Sequence, residues 1–362
     1  MTKMNSGPSI AARAMVGLLA ALWLLAPAAS AQEDRTANSF SSDWTLLAGY
    51  QDGSQALMVL PSGAIVSRSS TAMYRSDDDG DTWTMLPNPP DGVAIAADPV
   101  DSQVLYAFGM AGLERSPDGG ATWQQIRAAS NPPPATAAPF AISSDHRQLF
   151  LAEANQDIQR SPDAGASWQQ IYQVSQSGSP CMPTITMLIP HPTDGQRLMT
   201  DAGCYAGRDF GHGLQQTRDG GRTWSQFFPT AQEVNPCTLV GGQGSQANRW
   251  YLVGNPFAPG VPAALLRSDD DGATWNQVLQ TESAVQRLCA VAYDPTNPDT
   301  VWVAAGQTPD PTLTGVRASS DAGRTWSYLG RQDIGWVNAL ARAADGSVLL
   351  AATNEGIWRL SF

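Results

Sequence analysis

Apolar residues in this chain come in short runs set between polar turns, as in Ala56 to Leu60, Val104 to Phe108, Leu149 to Ala152, Val301 to Ala305 and Ser347 to Ala352. Between such runs stand Pro61-Ser62-Gly63, Asp98-Pro99, Asp294-Pro295-Thr296-Asn297-Pro298 and Asp345-Gly346. Short runs punctuated by residues that favour tight turns predict β-strands. No apolar pattern of period 3.6 persists for three turns, so the expected class is all-β.

The polar positions carry a stronger regularity. Ser268-Asp269-Asp270-Asp271-Gly272-Ala273-Thr274-Trp275 follows the pattern Ser/Thr-x-Asp-x-Gly-x-Thr/Ser-Trp. The pattern recurs at Ser76 to Trp83, Ser116 to Trp123, Ser161 to Trp168, Thr217 to Trp224 and Ser319 to Trp326. The tryptophans are 40, 45, 56, 51 and 51 residues apart, which makes this a repeat protein. A hydroxyl and a carboxylate that can accept from turn amides, with a glycine suited to positive φ, predict a tight hairpin. Thr-Trp then opens the next strand, with the indole filling the gap to a neighbouring unit.

The first unit places strands at Ala56 to Leu60, Ala64 to Ser67 and Ala72 to Ser76, then the octapeptide and a final strand through Trp83. Units two and three repeat this, with inner strands at Val93 to Ala97 and Pro139 to Ser143. Unit four is expected to have an inner strand at Thr184 to Ile189 and a loop from Ala202 to Gly213. Unit five is expected to have strands at Cys237 to Gly241 and Trp250 to Gly254 and a loop at Asn255 to Pro262. Unit six begins at Leu288 to Tyr293 and carries the loop Gly306 to Gly315. After the sixth octapeptide only three strands remain: Val337 to Ala341, Ser347 to Ala352 and Gly356 to Phe362. The stretch Asp43 to Leu47 looks like a fourth strand with no octapeptide before it. Pairing it with Gly356 to Phe362 gives a closed seven-bladed β-propeller over 43–362.

The octapeptide resembles the Asp-box of bacterial neuraminidase-like (BNR) repeats, and the resemblance spans the whole chain after its first residues. Families that share it include sialidases, xyloglucan-degrading glycosidases, the sortilin luminal domain and photosystem II assembly or stability factors. In these the box is a structural hairpin between the third and fourth strands of a blade. The resemblance therefore implies Asp78, Trp83, Asp118, Trp123, Asp163, Trp168, Asp219, Trp224, Asp270, Trp275, Asp321 and Trp326 as scaffold. It implies fold more than function.

Residues 1–31 differ in kind: Lys3 and Arg13 precede the apolar Ala14 to Leu25, and Ala29-Ser30-Ala31 fits a cleavage site. This reads as a secretory signal peptide, with an uncleaved N-terminal anchor as the alternative, followed by a polar leader over 32–42; it places the protein in the periplasm or outside a bacterial cell with no membrane span after signal cleavage. Without those residues the chain holds nineteen arginines, no lysine and thirty-three acids, a net charge of −14. Such a surface repels polyphosphate, so nucleic acid is not an expected partner. Cys181, Cys204, Cys237 and Cys289 are expected to form two disulfides. Cys181 to Cys204 with Cys237 to Cys289 is the expected pairing, and Cys181 to Cys237 remains open.

In a propeller, loops leading into inner strands share one rim with loops between second and third strands, and boxes occupy the other. On the loop-rich rim the candidate ligand-binding residues are Tyr205, Arg208, Asp209, His212, Phe257, Arg287, Arg331 and Trp336. Arg68, Glu233, Glu282, Asp310, Asp333 and Glu355 belong to the same rim. A sialidase needs three arginines, a tyrosine nucleophile and acids; Arg208, Arg287 and Arg331 with Tyr205 and Glu233 or Glu282 are available. The Arg-Ile-Pro motif expected near its start is missing. Xyloglucan-degrading relatives resemble two propellers in tandem, whereas this chain accounts for one. No Gly-x-Ser-x-Gly elbow, calcium loop or zinc spacing occurs, so neither metal nor cofactor is expected. The resulting expectation is a monomeric, exported, non-catalytic scaffold that binds a protein or glycan. An exo-acting, sialidase-like glycoside hydrolase is the alternative.

Overall fold

The computed structural model describes residues 43–50, 53–87, 92–129, 139–153, 157–173, 182–201, 203–205, 214–226, 234–241, 246–256, 262–281, 288–294, 297–305, 315–330, 334–343 and 346–362. Among these the strands form seven four-stranded antiparallel sheets and one two-stranded ribbon, with no α-helix. The sheets are the blades of a seven-bladed β-propeller. Blades one to three are Ala56–Val59, Ile65–Arg68, Met73–Ser76, Thr84–Met85; Gly92–Ala97, Leu105–Gly109, Gly112–Ser116, Gln124–Ala128; and Phe140–Ile142, Leu149–Ala152, Ile158–Ser161, Gln169–Tyr172. Blades four to six are Leu188–Pro190, Leu198–Thr200, Gln215–Thr217, Ser225–Gln226; Val234–Gly241, Trp250–Pro256, Ala264–Ser268, Asn276–Gln280; and Leu288–Tyr293, Val301–Ala305, Val316–Ser319, Ser327–Tyr328.

Blade seven joins the two ends of the described chain. Val337–Arg342, Val348–Thr353 and Gly356–Ser361 pair in sequence, and Thr45–Leu46 completes the sheet, with Thr45 opposite Arg359 and Leu46 opposite Trp358. The Leu47 N–H donates to the Ile357 carbonyl at 2.9 Å, and the Ser54 N–H donates to the Thr353 carbonyl at 2.8 Å as the chain crosses into blade one. A ring closed in this way leaves no broken blade.

Each octapeptide hydrogen-bonds to itself. In the first, Ser76 Oγ donates to Asp78 Oδ1 and accepts the Gly80 N–H, both at 2.8 Å. Asp78 in turn accepts the Thr82 N–H at 2.8 Å and its hydroxyl at 2.6 Å. The other five repeat this pattern. Asp79 and Gly80 both have positive φ, 56° and 90°, and the Asp81 N–H returns to the Asp78 carbonyl at 3.1 Å, the geometry of a type I′ hairpin turn. The octapeptide glycine is also where neighbouring blades approach. A Cβ on Gly120 would lie 2.5 Å from Leu86 Cδ1, and one on Gly221 would lie 2.5 Å from Ile171 Cβ, each in the preceding blade.

The buried side chains form seven clusters, one at each seam between blades. Trp83 packs with Leu47, Ile65, Val348 and Leu350 between blades seven and one. Trp123, Trp168, Trp224, Trp275 and Trp326 occupy the next five seams. The seam between six and seven has no octapeptide, and there Trp44 packs with Trp302, Leu329, Val337 and Trp358. Its indole Nε1–H donates to the Leu329 carbonyl at 2.7 Å, as Trp224 does to Ile171 and Trp326 to Val278, both at 2.9 Å.

The fourth strands begin one residue after each octapeptide tryptophan rather than at it, because the indole is committed to the seam. Blade four departs further from expectation. Its inner strand is Leu188–Pro190 instead of Thr184 to Ile189, and Met182–Thr184 pairs separately with Gly203–Tyr205, inside a stretch expected to be loop. Asp201 is the physical reason for the break. It accepts the backbone N–H groups of Thr186 and Met187, both at 2.8 Å, which removes that segment from the ladder. In blade five the second strand runs on to Pro256, two residues into the expected loop.

Closing the ring with Trp44 has a measurable consequence. Trp44→Ala should destabilise the protein by about 3–5 kcal/mol, the range for emptying a buried aromatic site. Denaturant titration monitored by circular dichroism checks it; a loss below about 1 kcal/mol would show that the seam holds without the indole.

Candidate functional site

Connectivity divides the propeller into two rims. Turns from first to second and from third to fourth strand emerge on one, so the octapeptides lie there. The other rim carries the second-to-third connections and the passages between blades.

On the octapeptide rim several arginines reach across to the next blade. The residue just before the octapeptide hydroxyl is Arg75, Arg115, Arg160 or Arg267 in four blades, and Arg359 holds the corresponding strand position in blade seven. Arg160 donates to the Gly220 carbonyl at 3.1 Å, Arg267 to Ala322 at 2.5 Å and Arg359 to Asp79 at 3.1 Å. Each acceptor is the fourth residue of the next blade's octapeptide. Arg359 also pairs with Asp81 at 2.6 Å, which carries the link across the closing seam. Blade four has Gln216 at this position, and blade five answers with the Asp271 carboxylate. Arg197 pairs with it, Arg218 lies 3.2 Å away and the buried His191 Nε2 3.7 Å away. Burial lowers the His191 pKa, helped by the nearby Arg197 cation.

The octapeptide carboxylates are equally committed. The Thr82, Thr122, Ser167, Thr223 and Thr274 hydroxyls hold Asp78, Asp118, Asp163, Asp219 and Asp270 below the usual carboxylate range, Asp219 to about 2. Burial opposes the same effect at Asp321, where the Thr325 amide and hydroxyl still prevail. These acids cap turns and have no proton to exchange near neutral pH.

The loop rim is where the sequence placed its candidates. Arg208, Asp209, His212, Phe257, Arg287 and Arg331 lie outside the described residues, as do Glu233, Glu282, Asp310, Asp333 and Cys181. Tyr205 and Cys204 end the short ribbon of blade four, where Cys204 pairs across to Pro183. Cys237 and Cys289 occupy corresponding inner-strand positions in blades five and six, each at a register shift where one residue leaves the ladder. The same shift falls at Val93 in blade two and at Asn338 in blade seven. Trp336 is described and stands at the start of that inner strand, 38% exposed. Its amide donates to Asn354 Oδ1 at 2.7 Å, and the Asn354 N–H returns to its carbonyl at 3.2 Å.

Other loop-rim groups were not singled out by sequence reasoning. Glu153 is buried and pairs with Arg127 at 2.8 Å. Asn255 bonds both backbone groups of Leu288 in the next blade, at 2.8 and 3.1 Å. Asn338 donates to the Ser54 carbonyl at 2.8 Å across the closing seam. Asp201 stands apart electrostatically: desolvation of its carboxylate pushes its pKa up to about 6, against hydrogen bonds from Thr186 and Met187. Among the described residues no group of three or more His, Cys, Asp or Glu side chains is arranged to hold a metal, and no helix is long and apolar enough to cross a membrane.

Comparison with known proteins follows the fold. No protein-family model matches the chain, and no curated protein matches it. Among solved structures, a GH74 xyloglucanase from Xanthomonas campestris is similar over 88% of this chain and 53% of its own, with 21% identity and TM-score 0.69. This chain thus spans about half of that enzyme. YCF48 bound to D1 peptide is similar over 90% of this chain and 98% of its own, with 13% identity and TM-score 0.63. The extracellular domain of a two-component system from B. thetaiotaomicron is similar over 88% of this chain and 39% of its own, with 12% identity and TM-score 0.61. At these identities the likeness is one of fold.

The two kinds of carboxylate give opposite pH responses. The depressed octapeptide acids stabilise the fold above about pH 4, and that contribution fades as the pH falls through their folded values, near 2 for Asp219. Asp201, raised to about 6, favours the fold most below the ordinary aspartate value, and its contribution declines as the pH rises through about 6. In Asp201→Asn the decline between about pH 4 and 7 should shrink by on the order of 1 kcal/mol, discounted for partial solvent screening. Urea titrations across that interval check it; an unchanged slope would remove Asp201 as its source.

Proposed function

We propose that the protein is an exported, non-catalytic scaffold that binds a protein or glycan on the loop rim of blades four to seven. In this reading residues 1–31 are removed as a signal peptide and the propeller over 43–362 works as a monomer. The observation that carries it is the unequal use of the two rims. Octapeptide carboxylates and interblade arginines are tied to turns and seams, whereas the loop rim presents the indole of Trp336 on a backbone fixed by Asn354. A rigid aromatic beside polar groups suits recognition.

Two of the described loop-rim acids, Asp201 and Glu153, suit catalysis less. Asp201 fixes the backbone of its own blade, and Glu153 is held by Arg127. A glycosidase needs one carboxyl free to give a proton and a second free to attack or to activate water. The likeness to YCF48 covers nearly all of that single propeller and supports the binding reading. Cys181 to Cys204 and Cys237 to Cys289 would staple this rim. The ribbon that sets Cys204 opposite Pro183, and the corresponding positions of Cys237 and Cys289 on neighbouring inner strands, support that pairing.

The likeness to the xyloglucanase favours the second reading, an exo-acting glycoside hydrolase. Two measurements separate the readings: release of sugars from sialosides and β-glucans, and retention of exported proteins or glycans by immobilised chain 32–362. The expected result is retention without hydrolysis, lost when 202–213 is deleted. Turnover of any substrate in the panel would overturn the scaffold reading.

A further inference from the structure

The closing seam between blades seven and one carries an arrangement that the ring itself does not use. Trp336 leads into the inner strand of blade seven, and the turn Asn354-Glu355-Gly356 joins that blade's second and third strands on the same rim. The two segments are bound by the reciprocal bonds of Trp336 and Asn354. The Glu355 N–H donates to Thr353 Oγ1 at 3.1 Å, which fixes the turn. The Glu355 carboxyl carbon then lies beside the Gly335–Trp336 backbone, 3.4 Å from where a Cβ on Gly335 would stand.

Both side chains are exposed, and among the described residues neither is engaged: no ion pair takes the Glu355 carboxylate and no ring packs on the Trp336 indole. Elsewhere the chain occupies such groups, as with Arg127 over Trp168 and Arg317 over Tyr328. An indole face and a carboxylate on adjoining rigid segments are the two components that hold an alkylammonium or guanidinium group: the ring quadrupole attracts the cation and the carboxylate neutralises it. The formal net charge of −12 adds a long-range field that draws cations and repels anions.

We infer that Trp336 and Glu355 form the receiving site for an arginine or lysine side chain of a basic peptide segment in the partner protein. This rests on the proposed binding role of the rim and gives the partner a charge. The partner's cation would lie over the indole within reach of the Glu355 carboxylate, and the rest of its segment would run along the rim. A neutral glycan would gain from the indole but nothing specific from the carboxylate's charge.

The test is fluorescence anisotropy on the mature chain with three probes: a short arginine-containing peptide, the same peptide with citrulline in place of arginine, and a xyloglucan oligosaccharide. The arginine peptide should bind, and its citrulline counterpart should bind about tenfold more weakly. Trp336→Ala and Glu355→Gln should each weaken arginine-peptide binding about fivefold or more, while Trp336→Phe retains most of it. Both positions are exposed, so unchanged thermal unfolding should accompany the losses. Asp101→Asn on the opposite rim controls for net charge and should leave affinity within about twofold. Equal affinity for arginine and citrulline peptides, or no effect of Glu355→Gln, would overturn the inference. Binding of the oligosaccharide alone, lost in Trp336→Ala, would also overturn it while leaving a binding rim in place. Failure of all three probes would overturn it too, and retention of exported components by the immobilised chain would then decide whether the rim binds at all.

Discussion

Everything in this molecule depends on one constraint: a ring has no end at which a poorly packed face can be hidden. Each blade is only four strands wide and covers its neighbours on both sides, so stability resides in the seams. The indole is the repeated solution. It brings a large apolar surface to the gap, and its Nε1–H can reach a carbonyl of the preceding blade, as in Trp224 and Trp326. The octapeptide delivers that indole, and its glycine permits the close approach of a side chain from the preceding blade. Six copies serve six seams, and Trp44 serves the seventh from the other end of the fold.

The same economy separates the rims. The third-to-fourth turn must be short and self-satisfied if the tryptophan is to arrive at a fixed depth, so its hydroxyl and carboxylate are consumed in place. Arg160 and Arg267, ahead of the turn, and Arg359 at the corresponding strand position then grip the next blade's octapeptide through its backbone. A rim built from such contacts has little chemistry left to offer a ligand. The second-to-third and interblade passages bear no such duty, and that is where the chain's additional length lies.

Much of this was legible in advance because a repeat averages out local ambiguity. Six copies of one octapeptide fixed the blade count, and the unpaired stretch at Asp43 to Leu47 revealed how the ring closes. The arginine contacts were missed although Arg75, Arg115, Arg160 and Arg267 stand at one position: an arginine in a strand does not say whether it reaches solvent or a neighbouring carbonyl. The blade-four ribbon was missed because Asp201 acts on amides fifteen residues away in sequence, beyond the reach of any local pattern. Candidate residues on the loop rim followed from connectivity alone. Connectivity assigns a rim but does not bring side chains together, so Trp336 was legible as a rim residue while its tie to Asn354 and the adjacent Glu355 was not.

Blade four shows how far the scheme bends before it fails. Like blade six it lacks the arginine before the octapeptide, its inner strand is only three residues, and part of its chain is diverted into a separate ribbon. Its seam with blade five is nevertheless filled by Met187, Met199, Leu214, Trp250 and Leu252. The missing latch is replaced by one of the same sense: Asp271, at the octapeptide position whose carbonyl accepts elsewhere, offers its carboxylate to Arg197 and Arg218 of blade four. The Asp271 backbone still adopts positive φ, 65°, so the turn is unchanged, and what differs is the accepting group, a carboxylate in place of a carbonyl, and the position of the arginine that reaches it. A seam therefore tolerates relocation of its polar contact when another arginine of the preceding blade reaches an acceptor across the same gap. The apolar filling has no such substitute, which is why a tryptophan stands at all seven seams and the arginine does not.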